Sequence, residues 1–343
     1  MQKNYKVIFP EQCKVALVEW DVPQPAAGEI LVRTLVSQIS TGTELTMLEA
    51  NVEPESPWHA NIEFPNYNVG YSNVGRVIAV GEGVDPALIG RLVASGGRHQ
   101  KFHTLNVNDY QAVKWVPEGV HPEDAVFSTI GSITNGSVRC AQPRPGDVCL
   151  VYGAGIIGQM VARFARLAGA GLVIVADVSD FRLSKLPKDP CFLPVNSAQE
   201  NIPEWVKQHT PDGEGADIVY ETTGVAFLVH QETLCLRKMG KLVVTSSPKG
   251  KSLVDLDYCN RKGITIIGAH NFAVHPPVET PENRWTRRRD SDHCLEMLRQ
   301  KRISVSEMHT HRFHYTDAAA AYEMLMKDRS QALSVLLTWE DEA

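Results

Sequence analysis

The chain has 343 residues, enough for two hydrophobic cores, with 43% hydrophobic and 22% charged residues. Its formal net charge of −6 at pH 7 excludes the basic footprint with which proteins hold nucleic-acid phosphates. No apolar run reaches the about 18 residues of a membrane span, and the N-terminal stretch MQKNYKVIFPEQ has no apolar signal core, so a cytoplasmic protein with neither membrane nor nucleic acid as partner is expected.

Residues 1–120 read as β-rich. Short apolar runs, KVALVEW, EILVRTLV, SNVGRVIAVG, RLVASG and KFHTLNV, are separated by Pro and Gly turns, the pattern of a compact barrel-like domain. After the second run comes ISTGTELTML, residues 39–48: small polar residues, the carboxylate Glu44, then apolar residues at helical spacing. Its plainest reading is a helix cap. From residue 123 the period changes. PEDAVFSTIGSITNGSVRCAQ reads as a helix, and the stretch from RPGDVCLVYGAG to ADVSDFRLSKL as strand, glycine turn, helix and strand. ADIVYETTG, KLVVTSS and ITIIGAH are continuous apolar runs that alternate with helical stretches such as AFLVHQETLCLRKMG. Runs without polar alternation suit strands covered on both faces of a parallel sheet. After residue 270 the pattern breaks at VHPPVETPENRW; two helices, DSDHCLEMLRQKR and TDAAAAYEMLMKD, and a last strand, ALSVLLTW, follow. The seven cysteines are scattered with no C-x-x-C pair, so neither a zinc knuckle nor a redox pair is suggested.

The strongest motif is G-x-G-x-x-G at Gly153, Gly155 and Gly158, preceded by a strand, followed by a helix and a second strand that ends in Asp177. Asp177 lies 19 residues beyond Gly158, close to the about 20 of a dinucleotide-binding fingerprint. Gly153 permits the tight turn, Gly155 lets the backbone and the helix start at Ile156 and Ile157 approach a pyrophosphate, and Gly158 lets helix and strand pack closely. Asp177 suits ribose hydroxyls and repels a 2′-phosphate, which favours NAD over NADP; its alternative reading is a strand-end cap. Arg182 and Lys185 follow within reach of a phosphate, or are solvated charges. Thr222 and Thr223, in ETTGV, and Ser246, in TSSPKG, stand where strand ends meet a cofactor crevice.

Taken together, PAAGEILVRTL, GYSNVGRVIAVGEGV, VPEGVHPEDAVF, the glycine segment, GADIVYETTG and LRKMGKLVV give the whole chain its resemblance to the medium-chain dehydrogenase/reductase, or zinc-type alcohol dehydrogenase-like, superfamily. The resemblance implies an α/β fold: a GroES-like β-barrel catalytic domain over residues 1–122 and 271–343, and a Rossmann NAD-binding domain with a doubly wound parallel sheet over 123–270. It also implies a homodimer or homotetramer and a small-molecule substrate. The zinc-dependent members carry C-G-[TS]-D and G-H-E and a third cysteine; this chain has S-T-G-T-E at 40–44, Gly70-Tyr71-Ser72, and Ile130 or a neighbour. The four-cysteine structural lobe is absent as well. No catalytic or structural zinc is therefore expected. The pairing of ISTGTE with GY-x-x-VGRV is similar to a zinc-less branch that includes bacteriochlorophyllide dehydrogenases.

Without a metal to hold the alkoxide, protein groups must handle the substrate proton. Glu44, at the position of a carboxylate behind the zinc, either faces the substrate or caps its helix. Tyr71, in place of a ligand, either donates to the substrate or fills the metal's volume. His99 is a proton relay or a satisfied loop histidine, and Ser40 and Thr41 are direct donors. His270 and Asn271, at the end of the last parallel strand, and Trp285, in RWTRRRD, are candidate substrate contacts; the same arginine run also reads as a solvated helix start. The expected activity is zinc-independent, NAD-linked interconversion of a polar secondary alcohol, of sugar, polyol or cyclitol type, and its ketone, with hydride passing to or from nicotinamide C4. An NADPH-dependent quinone or enoyl reductase, or a non-catalytic NAD-binding scaffold, are the alternatives.

Overall fold

The computed structural model describes residues 3–109 and 111–340. The chain divides into two units, one formed by the segments up to Thr129 and from Ser291 onward, the other by Ile130–Asp290. These divisions lie later than 122/123 and 270/271. The segment after residue 270 stays with the second unit because Asp290 and His275 are bonded within it, as described below.

In chain order the first segment contains β1 (Asn4–Ile8), β2 (Ala16–Trp20), β3 (Glu29–Ile39), α1 (Thr43–Glu49), β4 (Asn73–Val80), β5 (Leu92–Ser95), β6 (Phe102–Asn106), β7 (Lys114–Trp115), α2 (Pro122–Ala125) and the start of α3 (Ser128–Ala141). The second unit holds β8 (Val148–Tyr152), α4 (Ile156–Leu167), β9 (Leu172–Asp177), α5 (Asp180–Leu183), β10 (Phe192–Asn196), α6 (Ile202–His209), β11 (Ala216–Glu221), α7 (Val229–Leu234), β12 (Leu236–Val244), α8 (Leu256–Lys262), β13 (Thr265–Gly268) and α9 (Asn271–Val274). The chain leaves it through α10 (Arg287–Arg299), then forms β14 (His309–His314), α11 (Ala318–Lys327) and β15 (Ser334–Thr338).

In the first unit β1 and β2 form a hairpin sheet, and the other strands form a seven-stranded sheet in the order β14-β15-β3-β4-β5-β7, with β6 also on β3. The length of β3 organises it: its first half pairs with β6, its second half with β15, and β4 lies along the other side. Valines and isoleucines of these strands, Ile30, Val32, Val77 and Val93, meet in one cluster with Val113, which precedes β7. A second cluster gathers Phe9, Leu45, Leu48, Tyr322, Leu337 and Trp339, which seats α1 and α11. Each such side chain contributes about 1.5–3 kcal/mol on burial.

The second unit is a six-stranded sheet, all pairs parallel, in the order β10-β9-β8-β11-β12-β13. The order reverses between β8 and β11, which opens a crevice at their carboxyl ends. β8 is buried along its whole length, as its unbroken apolar run requires. Among the described residues no helix is long and apolar enough to cross a membrane.

Three stretches differ from the sequence expectation. The presumed helix AFLVHQETLCLRKMG ends at Leu234, and LRKMGKLVV is one strand; its register against β11 shifts between Leu236 and Lys241, and Met239 takes φ 62. That kink hides the strand from a periodicity reading. The strand β10 carries Pro194, tolerated because β10 is the sheet's outermost strand. β14, HTHRFH, has too many polar groups to read as an apolar run.

Candidate functional site

The first unit joins four of its five expected residues, Ser40, Glu44, Tyr71 and His99, in one hydrogen-bonded set. The end of β3 delivers Ser37, Ser40 and Thr41, and the first turn of α1 delivers Glu44. Gly42 occupies the cap position with no side chain to offer; instead Ser40 Oγ receives the Thr43 N–H at 3.4 Å. Glu44 has no exposed surface. Its Oε1 accepts the Ser40 N–H at 3.0 Å, and its Oε2 meets His99 Nε2 at 3.1 Å and the Tyr322 hydroxyl. His99 Nδ1 lies 2.8 Å from Ser37 Oγ, which also accepts from Trp339 Nε1 at 2.8 Å. One proton arrangement satisfies every group: Trp339 donates to Ser37, Ser37 to His99 Nδ1, and His99 Nε2–H with Tyr322 O–H to the carboxylate. Burial and the Glu44 charge hold the Tyr322 phenol well above its ordinary range.

Gly70 makes room for this arrangement. It has φ 92, and a Cβ there would lie 2.7 Å from the His99 backbone nitrogen. The next residue, Tyr71, donates its hydroxyl to Ser40 Oγ at 2.5 Å. Desolvation raises the Tyr71 phenol above its ordinary value, and its bonds with Ser40 and Thr43 oppose that rise. Ser40 Oγ therefore accepts twice and keeps its own proton for a further acceptor. The Thr41 carbonyl accepts from Arg329 at 3.2 Å.

These residues do not fit a zinc ion. The Tyr71 hydroxyl is committed to Ser40, and neither a phenol nor an aliphatic hydroxyl such as that of Thr41 is a usual zinc ligand.

In the second unit the glycine turn is built as its spacing predicts. Gly153 has φ 99, a Cβ on Gly158 would lie 1.8 Å from the Gly153 carbonyl oxygen, and a Cβ on Gly155 would meet nothing within 4 Å. The open side of Gly155 lies at the N-terminus of α4, beside the half-buried Ile156 and Ile157, where backbone N–H groups favour an anion. Asp177 fixes the turn: Oδ2 accepts the Ala154 N–H at 2.6 Å and Oδ1 the Ser179 N–H at 2.8 Å. Each oxygen keeps a second lone pair for a ribose hydroxyl. Arg182 is tied through its backbone, its carbonyl accepting from Gln159 at 2.8 Å.

Thr222 donates to the Tyr152 carbonyl at 2.6 Å, which binds the β11 loop to the glycine turn. Glu221, missed in the sequence, is the organiser here. With no exposed surface, its Oε1 accepts the Thr223 and Gly224 N–H groups and the Thr223 hydroxyl, each at 2.7 Å, and its Oε2 accepts the Ser246 hydroxyl. The two loops named from the sequence are thus held by one carboxylate. Its signal was a single acid closing the apolar run ADIVY.

His270 is exposed at the end of β13, its ring 5.7 Å from Phe272. Asn271 begins α9. Trp285 has the Arg139 guanidinium 3.0 Å and that of Arg289 5.1 Å from its ring centroid, so its π-face is already engaged by cations rather than open to a sugar. Tyr322, Trp339, His275 and Asp290 were also missed; Tyr322 and Trp339 lie far along the chain from the residues they serve.

The "Zinc-binding dehydrogenase" family model matches residues 157–282, within the second unit and clear of positions 41, 71 and 130. An L-threonine 3-dehydrogenase of Saccharopolyspora erythraea is 25% identical, over 94% of this chain and 95% of its own. A D-guloside 3-dehydrogenase of Escherichia coli K12 is 26% identical, over 85% and 87%. A solved short chain alcohol dehydrogenase of E. coli CFT073, in complex with NADH, shares the fold with TM-score 0.80 at 19% identity, over 98% and 99% of the two chains.

Proposed function

The chain belongs to the medium-chain dehydrogenase/reductase superfamily, and on that premise we propose that it is an NAD-linked oxidoreductase that interconverts a polar secondary alcohol, of sugar, polyol or cyclitol type, and its ketone without zinc. The coarser part, an alcohol-dehydrogenase type of oxidoreductase using a nicotinamide cofactor, is supported by the relatives named above. The finer part rests on one observation: Tyr71, which stands where the zinc-dependent members have a ligand, donates its hydroxyl to Ser40.

Bound NAD(H) supplies or takes the hydride. The Ser40 hydroxyl, polarised by Tyr71, donates to the substrate oxygen. A phenol held above its ordinary pKa stays protonated at neutral pH, so the pair polarises a carbonyl better than it removes an alcohol proton. Glu44 reaches Ser40 only through the backbone N–H, a bond that fixes position and passes no proton. Glu44, His99 and Tyr322 therefore hold the pair, and Tyr71 with Ser40 relays the proton: in reduction Ser40 O–H gives it to the substrate oxygen as Tyr71 O–H replaces it, and in oxidation the same relay runs in reverse with solvent water as the final acceptor. The preference for NAD rests on Asp177. A homodimer or homotetramer belongs to the same proposal, as does a cytoplasmic location.

The test is a panel of sugars, polyols, cyclitols and their ketones with NAD(H) and NADP(H). Alcohol-dependent NADH formation by protein carrying less than stoichiometric zinc is expected, with Tyr71→Phe and Ser40→Ala each lowering kcat by about 10²-fold. A donor pair facing a carbonyl also suits enone reduction, and NADPH consumption with quinones or enones alone would replace the proposal by that reading.

A further inference from the structure

The second unit contains a buried polar chain that leads to the segment after β13. Asp290, with no exposed surface, accepts from Asn135 at 2.5 Å and from Arg139 Nε at 2.9 Å through Oδ1. Its Oδ2 meets His275 Nε2 at 2.9 Å. His275 Nδ1 in turn lies 2.7 Å from the Asn271 carbonyl oxygen, so the imidazole bridges Asp290 to the first residue of α9. The seat for the ring is built in: a Cβ on Gly136 would stand 2.6 Å from His275 Cε1. A four-residue helix has little stability of its own, and this bridge is what fixes where Asn271 stands. With its backbone held this way, Asn271 has a buried side-chain Oδ1 with no partner among the described residues. A buried carbonyl oxygen without a donor costs about 1–3 kcal/mol, and it lies at the carboxyl end of the sheet, where α/β folds bind ligands.

We infer that Asp290 and His275 are positioning residues that hold Asn271 so that its Oδ1 accepts a hydrogen bond from the bound ligand. The donor is a substrate hydroxyl or the carboxamide N–H of the nicotinamide. The inference rests on the alcohol dehydrogenase reading proposed above.

The experiment measures kcat and separate KM values for NAD and for the best alcohol, with melting temperatures, on the full chain and its variants. Asn271→Ala is expected to raise one of the two KM values about tenfold with little change in melting temperature; which KM moves identifies the donor. His275→Gln keeps an amide for Asp290 and gives up the bond to the Asn271 carbonyl, and is expected to raise the same KM. His275→Asn, whose amide lies where Nδ1 was, is expected to keep that KM closer to wild type. A lower melting temperature in the His275 variants with both KM values unchanged overturns the inference, as does an Asn271→Ala enzyme with unchanged KM values. Wild-type turnover in those cases leaves the proposed activity standing. A wild-type chain that binds NAD and turns over no alcohol removes the activity and this inference together.

Discussion

Glu44 in the first unit and Asp177 and Glu221 in the second are buried carboxylates held in opposite ways, while Asp290 of the second unit is held by side chains as Glu44 is. In the first, Glu44 is held mostly by side chains that can adapt: an imidazole with two tautomers and a phenol that can rotate. In the second, Asp177 and Glu221 collect backbone N–H groups, two each, which cannot reverse their roles. The second unit also contains a carboxyl with nothing at all: both oxygens of Glu232, on α7, are buried and without partners among the described residues. Burial first, and the Glu221 charge second, push it up to about 9. A satisfied carboxylate shapes a loop. An unsatisfied one stays protonated and makes its unit sensitive to base.

Substitutions at four positions sharpen this contrast. Glu44→Ala is expected to cost the most, about 3–5 kcal/mol in urea unfolding, because Ser40 N–H, His99 and Tyr322 all lose their acceptor. Glu44→Gln should recover most of that, since His99 and Tyr322 can turn to accept from the amide; an equal loss in both variants would show the network to be rigid.

Glu232→Gln is next and has the opposite sign. Between the unfolded value of 4.5 and the folded value of about 9, the folded chain binds the extra proton, so wild-type stability falls as pH rises through that window. The variant should gain on wild type across the same range, by up to a few kcal/mol at its upper end. Parallel stability curves would disprove it.

His103, in the first unit, is the mirror case. Burial lowers it to about 4 from 6.5, so the unfolded chain binds the proton between these values. The contribution is complete above pH 6.5 and is lost as pH falls toward 4. His103→Gln should flatten that acid limb, an effect of at most about 3 kcal/mol.

Tyr322→Phe should be smallest, about 1–2 kcal/mol. It removes one of three donors to Glu44 and leaves the other two, and unfolding at neutral pH measures it.

The same contrast decides what could be read from the sequence. The parallel sheet and its glycine turn are local: Gly153, Gly155, Gly158 and Asp177 lie within one strand–helix–strand unit, so spacing alone identifies them. The polar network of the first unit is assembled by β3, the loop before β6, α11 and β15. Tyr322 reads as one more aromatic residue in an amphipathic helix, and Trp339 as the end of an apolar strand; no spacing links them to Glu44. Position in the resemblance points to Glu44, Tyr71 and His99, but only the structure shows that Glu44 and His99 bond to each other while Tyr71 bonds to Ser40. Helix and strand were confused at LRKMG because a register shift and the left-handed Met239 break the period on which such readings depend.

The place beside Gly136 ties two positions to each other. The His275 ring fills the volume that a methyl group at 136 would need, so the two side chains are alternatives. A chain that acquired alanine at 136 could not keep the imidazole in its seat, and one that lost the imidazole would leave a void that alanine could fill. The double variant Gly136→Ala/His275→Ala should therefore lose less stability than the sum of the two single losses, a coupling that a double-mutant cycle measures directly. The same exclusion predicts that these positions change together among related chains, so that 136 and 275 are inherited as one character rather than two.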